Sequence, residues 1–424
     1  SIMAESKIFF TKCSLIPNGG SLEEEYNIVG GAPLVTYCES ILNASISLTL
    51  EFIDIDQVIG RKGITGGEYL ELTVKDGDED EFKITLDHKM TLNAVTDMVT
   101  TRNYQSATLE FVSAELIVNE TSRLNQKFSG NVSDTVKKIL KDDKRGIKTE
   151  KKLFGPKDEK LEDGTKIKKD RATNSYAFVG NLKKPFETVQ WLCPKTMSSK
   201  ESFGFLFFET LDGYHFRSIK NLMDQEALRY EQADRQLLNR SQILQSRLNQ
   251  TNDIVTNCRM GMYANKTIYV DIENQQANVV DFNVEQLNLK KKLKLNGLEK
   301  VPTRLMVRVN DFGVAQVDSK RSQRVPASEL AVYQNKSYIR NNMLFSQSIN
   351  ISIPLNTTLR AGVLLDIRLP SKQDDNEGNA ETDSYGDDNS NDPSGKYLIA
   401  ELSHIMGREN AETQLTLIRD TFTA

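Results

Sequence analysis

The segment SISLTLEF at residues 45–52 decides which fold we expect. Its apolar side chains are Ile46, Leu48, Leu50 and Phe52, and a serine, threonine or glutamate precedes each of them. This alternation has the period of two that is typical of a strand with one apolar and one polar face. We therefore predict a long, half-buried strand here, within a sheet that covers an apolar core.

The same alternation continues outward from this strand through the first 118 residues. Apolar residues alternate at 70–74 and again at 82–86, and the pair Asp76-Gly77 between them suits a hairpin turn. A further strand is predicted from Thr108 to about Val118. Strands joined by turns in this way favour an antiparallel barrel or sandwich.

The C-terminal part of the chain repeats the order of these features. In the first copy, Gly66-Gly67 precedes a strand at 68–75, an acidic loop, a strand at 82–87, a helix-like link and a strand at 107–118. In the second copy, Gly362 precedes a strand at 363–369, an acidic loop and strands at 397–404 and 413–418. We therefore predict a duplicated β domain with inserted material between the two copies.

Changes in composition predict where the inserted material lies. We assign residues 1–118 to the first β domain, 226–283 and 341–424 to the second, 119–225 to an inserted α+β domain and 284–340 to a small insertion. Helical spacing of apolar residues predicts a helix near 132–140, with Ser133 as its N-cap, and a partly helical stretch at 226–244.

Two charged stretches are expected to be mobile. Residues 137–171 contain 14 Lys or Arg against 8 Asp or Glu, with few apolar residues, which predicts a solvated basic insert with a mobile segment at 141–171. Residues 371–395 contain eight acids and one lysine, which predicts a disordered acidic loop.

The overall composition excludes several classes of protein. A formal net charge of -5 argues against a whole-chain electrostatic grip on nucleic acid or membrane. We expect no stable membrane insertion and no secretory signal, because no run of about 18 uncharged apolar residues exists and the first residues lack a basic, then apolar, leader. The 4 cysteines form no CxxC pair and are expected to be reduced.

The three histidines give no catalytic pattern. His88 follows a predicted strand, His215 lies between aromatic residues, and His404 adjoins Ser403 in a strand, where neighbouring side chains point to opposite faces. The chain also lacks GxSxG, HExxH and cysteine–histidine zinc spacings. All three histidines are therefore expected to pack in the core or lie on the surface.

Two further motifs resemble ligand sites only in part. Residues 60–67 are rich in glycine and include Lys62, but the lysine precedes a glycine instead of following the last one, as a phosphate-binding loop requires. Asp76, Asp78 and Asp80 match the start of an EF-hand loop, but strands flank it and its sixth position is not glycine. We therefore predict no catalytic residue, no cofactor and no metal site.

The C-terminal segment carries a family resemblance. Residues 394–404, SGKYLIAELSH, followed by 413–420, TQLTLIRD, resemble the closing hairpin of baseplate central hub proteins of contractile-tailed (myovirus) bacteriophages. Three other stretches resemble the same family, at 128–140, 262–271 and 359–367. The family is related to late-control protein D and to the hub part of type VI secretion spike proteins.

The resemblance implies a mainly β fold with α+β insertions, in which two tail-tube-like antiparallel β-barrel domains come from one chain. It implies a homotrimer whose six quasi-equivalent barrels form a ring between a six-fold tail tube and a three-fold central spike protein. Implied partners are the spike, the tail tube or a tube-initiator protein, other baseplate proteins and a tape-measure protein, with DNA only passing through a polar lumen. The implied location is the virion tail baseplate, assembled in the host bacterial cytoplasm.

Two other functions stay open at this point. A cell-wall-degrading tail enzyme would need a catalytic carboxylate pair, and no such pair stands in a recognisable setting. A nucleic-acid-binding protein would act through the basic stretch Lys137–Arg171, which lacks interleaved aromatic residues. We expect a structural hub without enzymatic activity.

Overall fold

The chain folds into a mainly β structure in which one large sheet runs through both ends of the sequence. The computed structural model describes residues 8–18, 24–31, 33–77, 80–161, 164–198, 202–232, 241–250, 253–272, 275–287, 297–309, 315–316, 327–369, 393–408 and 410–420. Most of the predicted acidic loop at 371–395 lies outside these residues.

The first β unit comprises the strands β1 to β8. Its elements are β1 (Ile8–Ile16), β2 (Tyr26–Asn27), β3 (Leu34–Ser40), β4 (Ser47–Asp54), α1 (Val58–Lys62), β5 (Tyr69–Asp76), β6 (Asp80–Ile84), β7 (Met90–Thr100) and β8 (Gln105–Ser113). The strands follow the order β3-β4-β8-β7-β5-β1-β2, and β6 also pairs with β5. The predicted alternation is confirmed in β4, where Leu48, Leu50 and Phe52 are buried.

Two predictions for this unit were wrong. The helix-like link before residue 107 is the strand β7, which pairs antiparallel with β8. Register shifts between Leu92 and Ala94 and between Thr96 and Val99 interrupt the alternation of β7, so its sequence lacks a clear period of two. The strand predicted to reach about Val118 ends at Ser113, where helix α2 follows.

The next elements form a mixed region between the two units. They are α2 (Ala114–Thr121), β9 (Lys127–Asn131), α3 (Val132–Lys141), β10 (Lys152–Phe154), β11 (Glu159–Lys160), β12 (Lys166–Ile167), β13 (Ser175–Val179), α4 (Pro185–Leu192), β14 (Phe205–Thr210), β15 (Gly213–Ser218) and α5 (Ile219–Met223). The predicted helix is α3, but its N-cap is Asn131, whose side chain accepts a hydrogen bond from the Ser133 amide. The predicted N-cap was therefore two residues late.

The basic stretch 141–171 is folded, so the prediction of a mobile segment was wrong. It contributes β10, β11 and β12, and its apolar side chains Phe154, Leu161 and Ile167 are buried. The Lys141 ammonium donates to the carbonyls of Thr149 and Lys151 at 2.7 and 2.9 Å. Counting charges overestimated solvation because the ammonium groups of Lys141 and Lys151 have partners within the fold.

The remaining elements form the second β unit and a smaller body. They are β16 (Leu228–Glu231), β17 (Gln245–Gln250), α6 (Ile254–Arg259), β18 (Ala264–Asp271), β19 (Gln276–Asn283), β20 (Arg304–Val309), β21 (Ala315–Gln316), α7 (Ala327–Leu344), β22 (Gln347–Pro354), β23 (Leu364–Arg368), β24 (Gly395–Met406) and β25 (Ala411–Arg419). The second β unit comprises β16, β17 and β22 to β25, in the order β17-β22-β25-β24 with β23 beside β24 and β16 beside β23.

Two assignments around the second unit differ from the prediction. The stretch at 226–244 includes the strand β16, and residues 233–240 lie outside the described residues. The strand near 265–272 is β18, but it pairs with β19 and β20 in a separate three-stranded sheet. Residues up to 283 therefore do not all join the sheet of the second unit, and the other domain boundaries stay a prediction.

The two β units share one strand arrangement and register. Strands β3, β4, β8, β7 and β5 correspond in order to β17, β22, β25, β24 and β23. Both units have a bulge at the same place, between Leu92 and Ala94 in β7 and between Ile399 and Glu401 in β24. An equivalent backbone hydrogen bond also precedes β5 and β23: the amides of Gly67 and Gly362 donate to the carbonyls of Leu92 and Ile399 at 2.8 Å.

This correspondence shows that the predicted repeat is present, with one shift. The counterpart of the strand at 397–404 in the first copy is β7 and not the strand at 82–87. Gly362 has a φ of 82°, and an added Cβ would lie 2.8 Å from Phe208 Cζ. Glycine is therefore required at the entry of the second copy for both backbone and packing reasons.

Candidate assembly interface

The two β units meet at a seam between β24 and β3. Residues Glu401 to Met406 pair antiparallel with Ser40 down to Val35, so the two units form one continuous sheet. Across the seam the Tyr37 and His404 rings stack at 5.9 Å with an angle of 9° between their planes. Both rings are fully buried, so the seam is part of the packed interior of the protein.

A buried carboxylate on β3 links three parts of the chain. Glu39 Oε1 accepts hydrogen bonds from the Tyr37 hydroxyl at 2.7 Å and the Leu211 amide at 2.8 Å. Its Oε2 accepts from the Ala361 amide at 2.8 Å. Because Leu211 lies in the β14–β15 hairpin and Ala361 precedes β23, one side chain orients both units and the region between them.

Arg360 provides the cation of this junction. Its Nε lies 3.2 Å from Asp212 Oδ1 and 3.9 Å from Glu39 Oε1. Burial raises the pKa of Glu39 to about 7, and the Arg360 guanidinium opposes that rise. Burial by itself lowers the pKa of Arg360, but Glu39 and Asp212 outweigh it and raise that pKa. Such a network favours one relative placement of the three parts over others.

A second buried ion cluster fixes the middle region to the first unit. Lys151 Nζ lies 2.6 Å from Glu209 Oε1 and 2.9 Å from Glu115 Oε2. Glu209 Oε2 accepts from the Ser113 hydroxyl at 2.6 Å and the Ile46 amide at 3.1 Å. Burial by itself lowers the pKa of Lys151, but the two carboxylates outweigh it and raise that pKa. Lys151 of the basic stretch thus holds α2 and β14 together.

Sequence reasoning missed both clusters. The available signal was Glu39, which follows Val35 and Tyr37 at the third position of the apolar face of β3. A carboxylate at such a position requires buried partners, because burying an unpaired charge is costly. Its partners Leu211 and Ala361 lie 172 and 322 residues away, so the sequence alone does not identify them.

The sheet has a polar face that crosses the seam from one unit to the other. Residues directly opposite in register share a face, which places Arg247, Asn350, Thr416 and Glu401 together in the second unit. The same relation continues this face through β3 and β4 to β8; its other members are Gln245, Ser352, Glu412, Gln414, Ser403, Thr36, Cys38, Thr49, Glu51, Thr108 and Glu110. We call this set the polar face.

The polar face is shallow and carries mostly negative charge. It includes the acids Glu51, Glu110, Glu401 and Glu412 and the cation Arg247. A shallow cavity of about 250 Å³ lies on its second-unit half, lined by residues of β17, β22, β24 and β25. Such a surface suits an extended wall facing water better than a small-molecule site, which is concave and largely apolar.

The structure places the histidines in packing roles. His404 Nδ1 lies 2.9 Å from the Thr413 hydroxyl, and burial lowers the pKa of His404 to about 3. His215 Nε2 lies 3.0 Å from the Thr210 hydroxyl, and its ring stacks on Phe208 at 4.6 Å. His88 Nδ1 accepts from the Thr85 amide at 3.0 Å. The structure does not bring the three histidines together.

The remaining motifs form ordinary local structure. The glycine-rich segment 60–67 begins inside the short helix α1 (Val58–Lys62) and is followed by the strand β5. Asp76 and Asp80 pair across the β5–β6 hairpin, while Asp78 lies outside the described residues. Within the described part of the chain, no group of three or more His, Cys, Asp or Glu side chains could hold a metal ion. No helix of that part is long and apolar enough to cross a membrane.

Comparison with known proteins relates this architecture to solved structures of tail proteins. The sequence matches no family model and no curated protein. The structure is similar to a tail protein from Neisseria meningitidis MC58, with a TM-score of 0.55, 9% identity and 97% coverage of each chain. Two further solved structures are similar with lower TM-scores: a prophage MuSo2 43 kDa tail protein from Shewanella oneidensis and an Escherichia coli type VI secretion component. Their TM-scores are 0.48 and 0.43, at 10% identity; the alignments cover 97% and 99% of this chain and 99% and 78% of theirs.

The Neisseria likeness shows the fold. The chain has the mainly β fold of that tail protein over nearly its whole length, with large antiparallel sheets. The resemblance predicted from residues 394–420 and the upstream stretches is therefore confirmed for the fold.

Proposed function

We propose that this chain is the structural hub of a contractile phage tail baseplate. The observation that carries the proposal is the pair of equivalent β units in one chain, joined through β24 and β3 into one sheet. A chain that supplies two equivalent units can match a partner with twice its own symmetry. Three copies thus provide six units for a six-fold tail tube and a three-fold arrangement for a central spike.

The buried clusters at Glu39 and Lys151 support this role. They hold the two units and the region between them in one placement, and a ring requires that each copy has the same shape. The proposed role needs no covalent chemistry. Its partners are the central spike protein, the tail tube or a tube-initiator protein, a tape-measure protein and other baseplate proteins, in the virion tail assembled in the host cytoplasm.

The polar face is the proposed wall of the lumen. Its four acids outnumber Arg247, so a DNA backbone passing close to the wall would be repelled and not bound. Serine, threonine and glutamine side chains lie between these acids along the face. A wall of this kind allows passage of the genome without a fixed contact.

The absolute mass in solution tests the proposal. The purified chain, measured by light scattering at several concentrations, is expected to reach three times 47.9 kDa. A stable dimer or tetramer contradicts the hub, because neither supplies six units. A mass that stays at one copy across the concentration range contradicts a self-assembling ring.

The two alternatives gain no support from particular residues. A cell-wall-degrading enzyme would need a catalytic carboxylate near an open cleft, and the buried carboxylates Glu39 and Glu209 are enclosed by hydrogen-bond donors. A nucleic-acid-binding role for the basic stretch is weakened by Lys141 and Lys151, which are engaged within the fold.

A further inference from the structure

Among the strands that the structure describes, β17 and β7 of the continuous sheet each have an open edge. Strand β17 pairs with β22 on one side, and in the described part of the chain its other side has no partner strand. Strand β7 pairs with β8, while its other side meets β5 at Thr91, and residues 93–100 pair with no other strand of the described residues on that side. Open edges present unpaired backbone groups that can pair with a strand of another chain.

These two edges are the counterparts of the two strands at the seam. Strand β7 corresponds to β24, and β17 corresponds to β3. The correspondence reaches single residues: Val99 matches Ile405, since their partners Ser106 and Glu412 occupy equivalent places on β8 and β25. Arg247 matches Thr36 by the same relation through β22 and β4.

Exposed apolar side chains on the open edges occupy the places that buried side chains occupy in the seam. Leu248 occupies the place of Tyr37 and is 42% exposed, and Met98 lies near the place of His404 and is 53% exposed. Tyr37 and His404 are each 0% exposed in the seam. The exposed pair would be covered if the open edges met as the seam strands do, which is worth about 25 cal/mol per Å² of buried apolar area.

We propose that β7 of one copy pairs antiparallel with β17 of the next copy, repeating the seam between chains. The register places Val99 opposite Arg247 and Thr100 opposite Ser246, as Ile405 lies opposite Thr36 and Met406 opposite Val35. This inference rests on the proposed ring and names its interface. The strand that covers each edge is expected to come from a second copy of this chain. The reason is that β24 and β3, the counterparts of β7 and β17, already pair with one another within the chain.

Charge and symmetry agree with this partner. Asp97 on β7 and Arg247 on β17 are exposed and opposite in sign, and the register brings them within two residues of one another. The contact joins two different surfaces, so each copy keeps one edge for each neighbour. Such head-to-tail contacts form a closed ring when the rotation per copy closes and a filament when it does not.

A disulfide across the proposed register tests the inference. Val99→Cys and Arg247→Cys are introduced together into the full chain, with Cys38→Ser and Cys258→Ser to remove the two partly exposed thiols. The matched control replaces Arg247→Cys by Gln245→Cys, two residues along the same face of β17. That offset adds roughly 7 Å along the strand, which places the Cα atoms beyond disulfide reach.

After mild oxidation, the 99/247 protein is expected to run as a covalent species of three copies on a non-reducing gel, and the 99/245 control as single chains. A light-scattering mass of three copies without the 99/247 crosslink overturns the inference and leaves the hub intact. Equal crosslinking of both pairs overturns the register. A chain that stays monomeric and uncrosslinked contradicts both proposals, and a ladder beyond three copies supports the edge pairing but contradicts the closed trimer.

Discussion

Replacing Glu39 with glutamine is expected to change how the stability of the protein depends on pH. Burial raises the pKa of Glu39 to about 7, against an ordinary value of 4.5. Between these values the unfolded chain releases its proton while the folded chain keeps it. The free energy of unfolding therefore falls as the pH rises, and the contribution present below pH 4.5 is lost by about pH 7.

The magnitude follows from the size of the pKa difference. A shift of about 2.5 units at 1.36 kcal/mol per unit gives about 3 kcal/mol of pH-dependent stability. Glu39→Gln removes this titration but places an amide donor near the Ala361 amide, which adds a constant cost of about 1–3 kcal/mol. The difference in unfolding free energy between Glu39→Gln and the parent should therefore shift by about 3 kcal/mol in favour of the variant from pH 4.5 to 7.5.

Urea unfolding followed by circular dichroism at several pH values measures this difference. Other titrating groups are common to both proteins and cancel. Glu401→Gln, which changes an exposed carboxylate on the neighbouring seam strand, is the matched control for the loss of one carboxylate. Parallel profiles for Glu39→Gln and the parent would refute the reasoning, because they would mean that Glu39 ionises equally in both states.

Three further outcomes are expected from urea unfolding. Lys151→Met leaves two buried carboxylates without a cation and should cost about 3–5 kcal/mol, whereas Lys184→Met at an exposed pair should cost at most about 1; equal costs would contradict the buried cluster. Gly362→Ala should cost more than Gly164→Ala, since both have positive φ but only Gly362 has Phe208 in the path of a Cβ; equal costs would contradict that packing. Between pH 6.5 and 4, His404→Gln should lose about 3 kcal/mol less stability than the parent, because burial lowers the pKa of His404 to about 3 and only the unfolded parent binds that proton, while the opposite contribution of Glu39 is common to both proteins; an equal change in both proteins would exclude His404 as a source of acid sensitivity.

The regular strands were predictable because their sequences show the period of the structure. Residues 45–52 alternate without interruption, and β4 follows that alternation. Strand β7 was missed because its two bulges break the alternation. The basic stretch was misjudged because a lysine count does not reveal that Lys151 meets Glu115 and Glu209 in the fold.

The interface was less predictable than the fold. The repeat was predictable because a glycine precedes the first strand of each copy. The structure explains this glycine, since the amides of Gly67 and Gly362 make equivalent hydrogen bonds in the two units. The seam depends on pairing between strands about 365 residues apart, such as the contact of Cys38 with Ser403 at 3.3 Å. No local pattern in the sequence specifies which edge meets which over such a distance.

Electron microscopy of the purified chain tests the central claim most directly. Averaged end-on images are expected to show closed rings of three copies with six nearly equal lobes, one for each β unit. Rings with two-fold or four-fold symmetry, or particles whose two units differ too much to give six similar lobes, would contradict the account.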